Sequence, residues 1–335
     1  QRQMCIRDSP REMITTVLDG LRRLAPEDVE VTYARGADIV TTVPDPRGDT
    51  LPDGQPRPPV VASAPVDPAM ISEAVEAACA ADLVIAVVGD TIELTGEGRS
   101  TATLELLGGQ QELLQQLADT GTPLVVILMA SKPLVRPPSL EDAALLWVAH
   151  PGMEGGRATA EILLGLVEPS GRLPISFARH VGQQPTYYNQ IRGQHGERYA
   201  DLTQEPAFVF GEGLSYTDFS YGAPKVVERR LSEDSVFEVR VVVSNVGDRR
   251  GTETVQLYVR DLVTSVSWAD KELKAFTQVD LEPGESREVA LELPVSSMSI
   301  VNQRGERVVE PGEFELLVGY SSSSGDLQGV IVEVL

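Results

Sequence analysis

The chain has 335 residues, enough for two domains that each bury a core, and its 42% hydrophobic and 23% charged content is that of an ordinary globular protein. Asp and Glu total 50 against 28 Lys and Arg, for a net charge of −22. Such a surface repels phosphate backbones and anionic lipid, so nucleic acid and membrane surfaces are disfavoured as partners, while an uncharged ligand such as a sugar is not.

Two cysteines, Cys5 and Cys79, give no disulfide framework and no thiolate metal site, and His150, His180 and His195 are too scattered to suggest a metal cluster. The longest apolar run, Pro123 to Ala130, is strand-sized and well short of the roughly 18 residues a membrane helix requires. The opening nonapeptide, Gln1 to Ser9 (QRQMCIRDS), is polar and charged, unlike a signal peptide and unlike the rest of the chain. It resembles translated adapter sequence. Residues 1–9 are therefore read as a non-native leader, with an upstream portion expected.

From Pro10 the pattern is regular. Met13 to Leu24 has helical spacing, and Val29 to Tyr33 alternates as a short strand does. Pro44 to Pro59, dense in proline, reads as a long loop. Pro68 to Ala81 is an amphipathic helix with Asp67 as its N-cap, and Asp82 to Asp90 (DLVIAVVGD) is a buried parallel strand. The unit then repeats: helix Gly109 to Thr120, strand Thr122 to Ser131, short helix Leu140 to Ala144, strand Ala144 to Ala149 and helix Gly155 to Leu166. Alternating strands and helices predict a doubly wound, mostly parallel α/β sandwich over residues 10–181. Ligands of such sheets bind beyond the carboxyl ends of the strands, here the loops after Val88, Met129 and Ala149.

Residues 182–224, rich in Gly, Tyr, Gln and Pro, read as an extended connector. Short alternating strands follow at Val236 to Ser244, Glu253 to Arg260, Leu273 to Val279, Arg287 to Leu293 and Gly312 to Gly319. Turn signals such as Glu282-Pro-Gly-Glu285 and Glu310-Pro-Gly-Glu313 separate them, which predicts an all-β sandwich over residues 225–335.

Within Val88 to Leu106, Asp90, Glu93 and Glu97 lie close together, and Glu97 stands between Gly96 and Gly98. A carboxylate flanked by glycines at a switch point can be carried out on an arm to protonate a bond held elsewhere. By spacing alone, the same segment also reads as a solvent-facing acidic loop. It is no phosphate loop, since it lacks the Walker lysine and the dinucleotide fingerprint. The turn Gly152 to Gly156 around Glu154 reads as close strand-to-helix packing, and no Gly-x-Ser-x-Gly elbow supports a serine hydrolase.

As an ordered set, several runs resemble the C-terminal half of family 3 glycoside hydrolases, the bacterial β-glucosidases and β-xylosidases. These are EVTYARGADI (30–39), AVVGDTIELTGEGRSTATLEL (86–106), GQQELL (109–114), PGMEGGRATAEILLGLVEPSGRLPISF (151–177), QPTYYN (184–189) and FGEGLSYTDFSY (210–221), then VSNVGDRRGTETVQLYV (243–259), KELKAF (271–276) and EPGEFELLVG (310–319). The resemblance implies an N-terminal (β/α)8 barrel, not found in this sequence, ahead of the α/β sandwich and a fibronectin type III-like domain. It implies cleavage of terminal β-linked glucosyl or xylosyl residues with retention, a barrel aspartate as nucleophile, and Glu97 as general acid/base. Arg99, Lys132 and His150 become candidate substrate contacts. Arg99 stands one or two places early relative to the family's Asp-Arg, where this chain has Ser100-Thr101, and a surface lysine or a structural histidine remains the other reading of Lys132 and His150.

Asp270 lies in the predicted sandwich and is read as structural. The aromatics of the connector, Tyr216 among them, are read as packing residues. The implied partners are a β-linked oligosaccharide or glycoside and the barrel of the same polypeptide, with a homodimer left open; no metal or organic cofactor is implied. A periplasmic or secreted location is favoured, with the cytoplasm open. The contrasting function is a non-catalytic carbohydrate-binding or scaffold module.

Overall fold

A computed structural model describes residues 13–96, 99–141, 143–191 and 199–335. The chain divides into two compact units, one holding the described residues up to Leu166 with Arg179–Gly182, the other Val167–Ala178 with Gln183–Leu335.

In the first unit the elements run α1 (Val17–Leu24), β1 (Val40–Val43), β2 (Val60–Ser63), α2 (Pro68–Cys79), β3 (Val84–Gly89), α3 (Gln110–Asp119), β4 (Leu124–Met129), β5 (Ala144–Trp147) and α4 (Gly155–Leu163). Strands β3, β4 and β5 form a parallel sheet in that order, as the βα alternation predicts. Central β4 buries Val126, Ile127 and Leu128, whereas Val87 on edge strand β3 is 48% exposed, so that strand is less enclosed than its apolar run suggests. Asp67 caps α2 as expected, its carboxylate accepting from the Ala69 and Met70 amides at 3.0 and 3.2 Å.

Two expectations need correction. Val29 to Tyr33 is not a strand: it pairs with no strand among the described residues, and although Val31 packs against the α1 and α4 cluster, its alternation partners Val29 and Tyr33 are exposed. The strand lies later, at β1, which pairs antiparallel with β2 across the proline-rich loop. The short helix placed at Leu140 to Ala144 is a single 3-10 turn at Pro138–Leu140.

Helices α1 and α4 meet through small residues around Val17, Leu21 and Ala160. A Cβ on Gly20 would stand 2.5 Å from the Gly156 carbonyl oxygen, and one on Gly156 2.2 Å from that of Thr16. The glycine-rich turn before α4 is therefore a packing device. Gly20→Ala gains about 1 kcal/mol of helix propensity but overpacks a backbone contact at about 1–3 kcal/mol. We expect a lower urea midpoint for this unit, equivalent to a net loss of about 1 kcal/mol, followed by Trp147 fluorescence in a Trp268→Phe background.

In the second unit, short strands β6 (Phe219–Tyr221), β7 (Lys225–Val226) and β8 (Arg230–Leu231) precede the long β9 (Val236–Asn245), β10 (Gly251–Asp261), β11 (Glu272–Leu281) and β12 (Ser286–Pro294). A minor pair, β13 (Ile300–Val301) with β14 (Arg307–Val308), leads to β15 (Gly312–Gly319) and β16 (Leu327–Val334). One sheet runs β11-β10-β15-β16-β8 and the other β12-β9-β6, with β7 beside β9. Inward-facing residues, among them Phe237, Val239, Val255, Leu257, Leu291 and Phe314, make the core between them, as period-two patterning demands.

Strand β10 is buried on both faces. The outer one is covered by the preceding connector: Tyr188 stacks on Phe210 with ring centroids 4.1 Å apart, Tyr258 stands edge-on to both, and Gln256 donates to the Gly211 carbonyl at 3.0 Å. Asp270 is bound by Arg260 at 2.9 Å, a structural role.

Candidate active site

The first unit gathers its candidate residues where β3, β4 and β5 end. Strand β3 closes on Gly89, whose φ of +144° favours glycine and whose added Cβ would lie 1.9 Å from the Met129 carbonyl oxygen. This close approach lets the Asp90 amide donate to that carbonyl at 2.9 Å, so the two strand ends leave the sheet together. Buried Gln110, at the start of α3, receives the Gly89 amide at 2.7 Å and donates to the carbonyls of Gly89 at 3.0 Å and Leu107 at 2.9 Å. One side chain thus fixes both the departure of the loop from β3 and its return to α3. No periodicity in the sequence signals this role of Gln110, which lies within the GQQELL run.

The loop itself starts with Thr91 donating to the Glu93 carboxylate, and Leu94 anchors it in the interior. Gly96 takes φ +100°, a conformation suited to glycine. Glu97, the expected acid/base, and Gly98 lie outside the described residues. On the return limb, Arg99 is exposed and its amide donates to the Gly96 carbonyl at 3.2 Å. Arg99, Ser100 and Thr101 line a groove of about 510 Å³ together with Glu93, Leu94, Val60 and Val61.

Lys132 follows β4 and is half-buried; its ammonium donates to the Thr101 hydroxyl, which donates in turn to the Thr103 carbonyl at 3.0 Å. His150 is exposed and follows Ala149, a non-glycine residue in left-handed conformation at φ +44°. Asp90 lies between these loops. Burial pushes its carboxyl above the ordinary carboxylate range, and the neighbouring Lys132 and then His150 pull the other way. Its Oδ2 is buried without a hydrogen-bond partner among the described residues.

The structure therefore brings Arg99 and Thr101 to one groove, and sets Lys132 and His150 within electrostatic range of Asp90. Among the described residues no group of three or more His, Cys, Asp or Glu is arranged to hold a metal, and no helix is long and apolar enough to cross a membrane.

Residues 5–216 match the glycosyl hydrolase family 3 C-terminal domain, and residues 253–322 match a fibronectin type III-like domain. The chain belongs to glycoside hydrolase family 3. Among its relatives, a β-xylosidase of Formosa agariphila is 37% identical over 95% of this chain, and a periplasmic β-glucosidase of Salmonella typhimurium is 35% identical over 92%. A solved β-glucosidase involved in saponin metabolism, from intestinal bacteria, is 53% identical over 98% of the chain with a TM-score of 0.94. The family 3 chain described here spans only 41% of the length of the two curated relatives and 46% of that solved structure. The family's two-part C-terminal organisation, an α/β domain followed by a fibronectin type III-like sandwich, is the one expected from the sequence.

Proposed function

We propose that this chain is the C-terminal portion of a retaining β-glycosidase that removes terminal non-reducing β-D-glucosyl or xylosyl residues, with Glu97 as general acid/base and the nucleophile on an N-terminal barrel. The observation that carries the reading is the family 3 loop leaving the carboxyl end of β3, whose described limbs are fixed by Gln110 and Lys132 beside an open groove. Relatives named β-glucosidase and β-xylosidase support the substrate class.

In the first step a barrel aspartate attacks the anomeric carbon while Glu97 gives its proton to the departing glycosidic oxygen. In the second, Glu97 takes a proton from water as the water oxygen displaces the aspartate. Both require two carboxyls about 5–5.5 Å apart across the bond. Arg99 and His150 are proposed to touch the sugar or its leaving group. Lys132 has one of its donors engaged by Thr101.

Adding the barrel of a relative, by fusion or in trans, tests the reading. The combination should hydrolyse aryl β-D-glucosides or β-D-xylosides with the β-anomer as first product by NMR, and the chain alone should not. Hydrolysis by the chain alone would place the nucleophile here and sink the proposal. Sugar binding to the chain with an inert combination would favour the non-catalytic module.

A further inference from the structure

We propose that Lys132 is a positioning residue for the acid/base loop, holding its return limb to the end of β4 through the hydroxyl of Thr101; this rests on the acid/base role proposed for Glu97. Residues 101–104 are joined to the segment that leaves β4 at two points. The Lys132 ammonium donates to Thr101, and the Val135 amide donates to the Leu104 carbonyl at 2.8 Å. Between them the limb is braced internally, by Thr101 on the Thr103 carbonyl at 3.0 Å and by the Glu105 amide on the Thr103 hydroxyl at 3.1 Å.

The anchor is rigid where it starts. Lys132 precedes Pro133 and Leu134, and Leu134 is 1% exposed. A lysine ammonium on a hydroxyl is a charge-assisted bond, stronger than the neutral bonds that otherwise brace this limb. Asp90, whose buried Oδ2 has no hydrogen-bond partner among the described residues, supplies the opposite charge that favours keeping the ammonium at this place.

The other limb is fixed at Gly89 by Gln110, so with Lys132 in place both ends of the segment bearing Glu97 are tied to the sheet. A proton donor must be held within hydrogen-bond reach of the leaving oxygen, and a misplacement of about 1 Å costs up to a hundredfold in rate. Lys132 therefore acts through the loop rather than on the sugar. Its expected effect falls on turnover and not on affinity.

Two measurements test this. In the 335-residue chain, Lys132→Met and Thr101→Val should each raise amide hydrogen exchange of residues 99–104 about tenfold. The double variant should go no further, Lys132→Arg should keep most of the protection, and β4 amides should be unchanged. In the barrel-complemented enzyme, Lys132→Met should lower kcat about tenfold on a glycoside with a poor leaving group and leave KM within about twofold. Unchanged exchange in Thr101→Val, which retains the side-chain volume and the fold, overturns the tether whatever Glu97 does. Faster exchange with unchanged kcat makes Lys132 merely structural, and a raised KM at constant kcat makes it a sugar ligand; either overturns the proposal. Full activity of Glu97→Ala would instead remove the acid/base reading itself, independently of the exchange result.

Discussion

Replacing Arg172 by Met should destabilise the second unit by about 3–5 kcal/mol, the cost of leaving a buried charge without its partner. Arg172 and Glu253 are 8% and 3% exposed at their side chains and lie 2.7 Å apart, and Tyr221 donates to the second carboxylate oxygen at 2.7 Å. The pair ties the segment before the connector to β10. Burial pushes the Glu253 carboxyl above its ordinary value of 4.5, against the opposing pull first of Arg172 and then of the Tyr221 bond.

Without Arg172 that carboxyl rises further. In the window above pH 4.5 the folded variant then binds more protons than the unfolded chain, so its stability falls as pH rises. The deficit relative to wild type should be widest near neutrality and narrow toward pH 4.5. Urea unfolding followed by Trp268, in a Trp147→Phe background, reads both quantities. Replacing the whole network with apolar side chains (Arg172→Met, Glu253→Leu and Tyr221→Phe together) should recover most of the loss. A single Arg172→Met variant within 1 kcal/mol of wild type would show that Glu253 is not effectively buried.

The second large effect concerns Glu97. In a barrel-complemented enzyme, Glu97→Ala should lower turnover of glycosides with poor leaving groups by about 10²–10⁴, the usual contribution of general acid catalysis. Glycosides whose leaving group departs as a stable anion need no proton, so their first step should be nearly spared. Their overall turnover should then be limited by hydrolysis of the glycosyl-enzyme, which still needs a base. The signature is a burst of released phenol equal to the enzyme concentration.

The sandwich is the most legible part of the sequence, because strands such as β9 and β12 are buried on one face and their alternation survives: Val236 to Ser244 and Arg287 to Leu293 fall within β9 and β12 at nearly the same limits. The final strand, β16, absent from the expected set, carries the same pattern in LQGVIVEV. Strand β10 shows why patterning runs out. Gln256, on the outer face, is covered by the connector and donates to the Gly211 carbonyl, while Glu253, on the face of Val255 and Leu257, is a charge at a core-facing position that is buried with Arg172.

In the α/β unit, β3, β4 and β5 are legible as apolar runs, whereas Val29 to Tyr33 has the alternation but no partner strand among the described residues, and only Val31 packs on the α1 and α4 cluster. At the site, spacing alone favours reading the Glu97 loop as a solvated acidic turn, and it is the resemblance to family 3 that implies a chemical role for it. What neither could supply was the pair of contacts that hold it. Gln110 meets Gly89, and Lys132 meets Thr101, across distances in sequence that no local period encodes.

Azide tests whether Glu97 is, as proposed, the proton-transferring group of a double-displacement reaction. Removal of the Glu97 carboxylate leaves room and no charge beside the glycosyl-enzyme, so azide can attack the anomeric carbon without base assistance and displace the barrel aspartate from the sugar. In barrel-complemented Glu97→Ala acting on an activated aryl β-glycoside, azide should raise turnover at least tenfold, and the product should be the β-glycosyl azide. Wild type under the same conditions should yield only the free sugar. No acceleration by azide in an otherwise folded variant, or an α-glycosyl azide as product, would contradict the assignment.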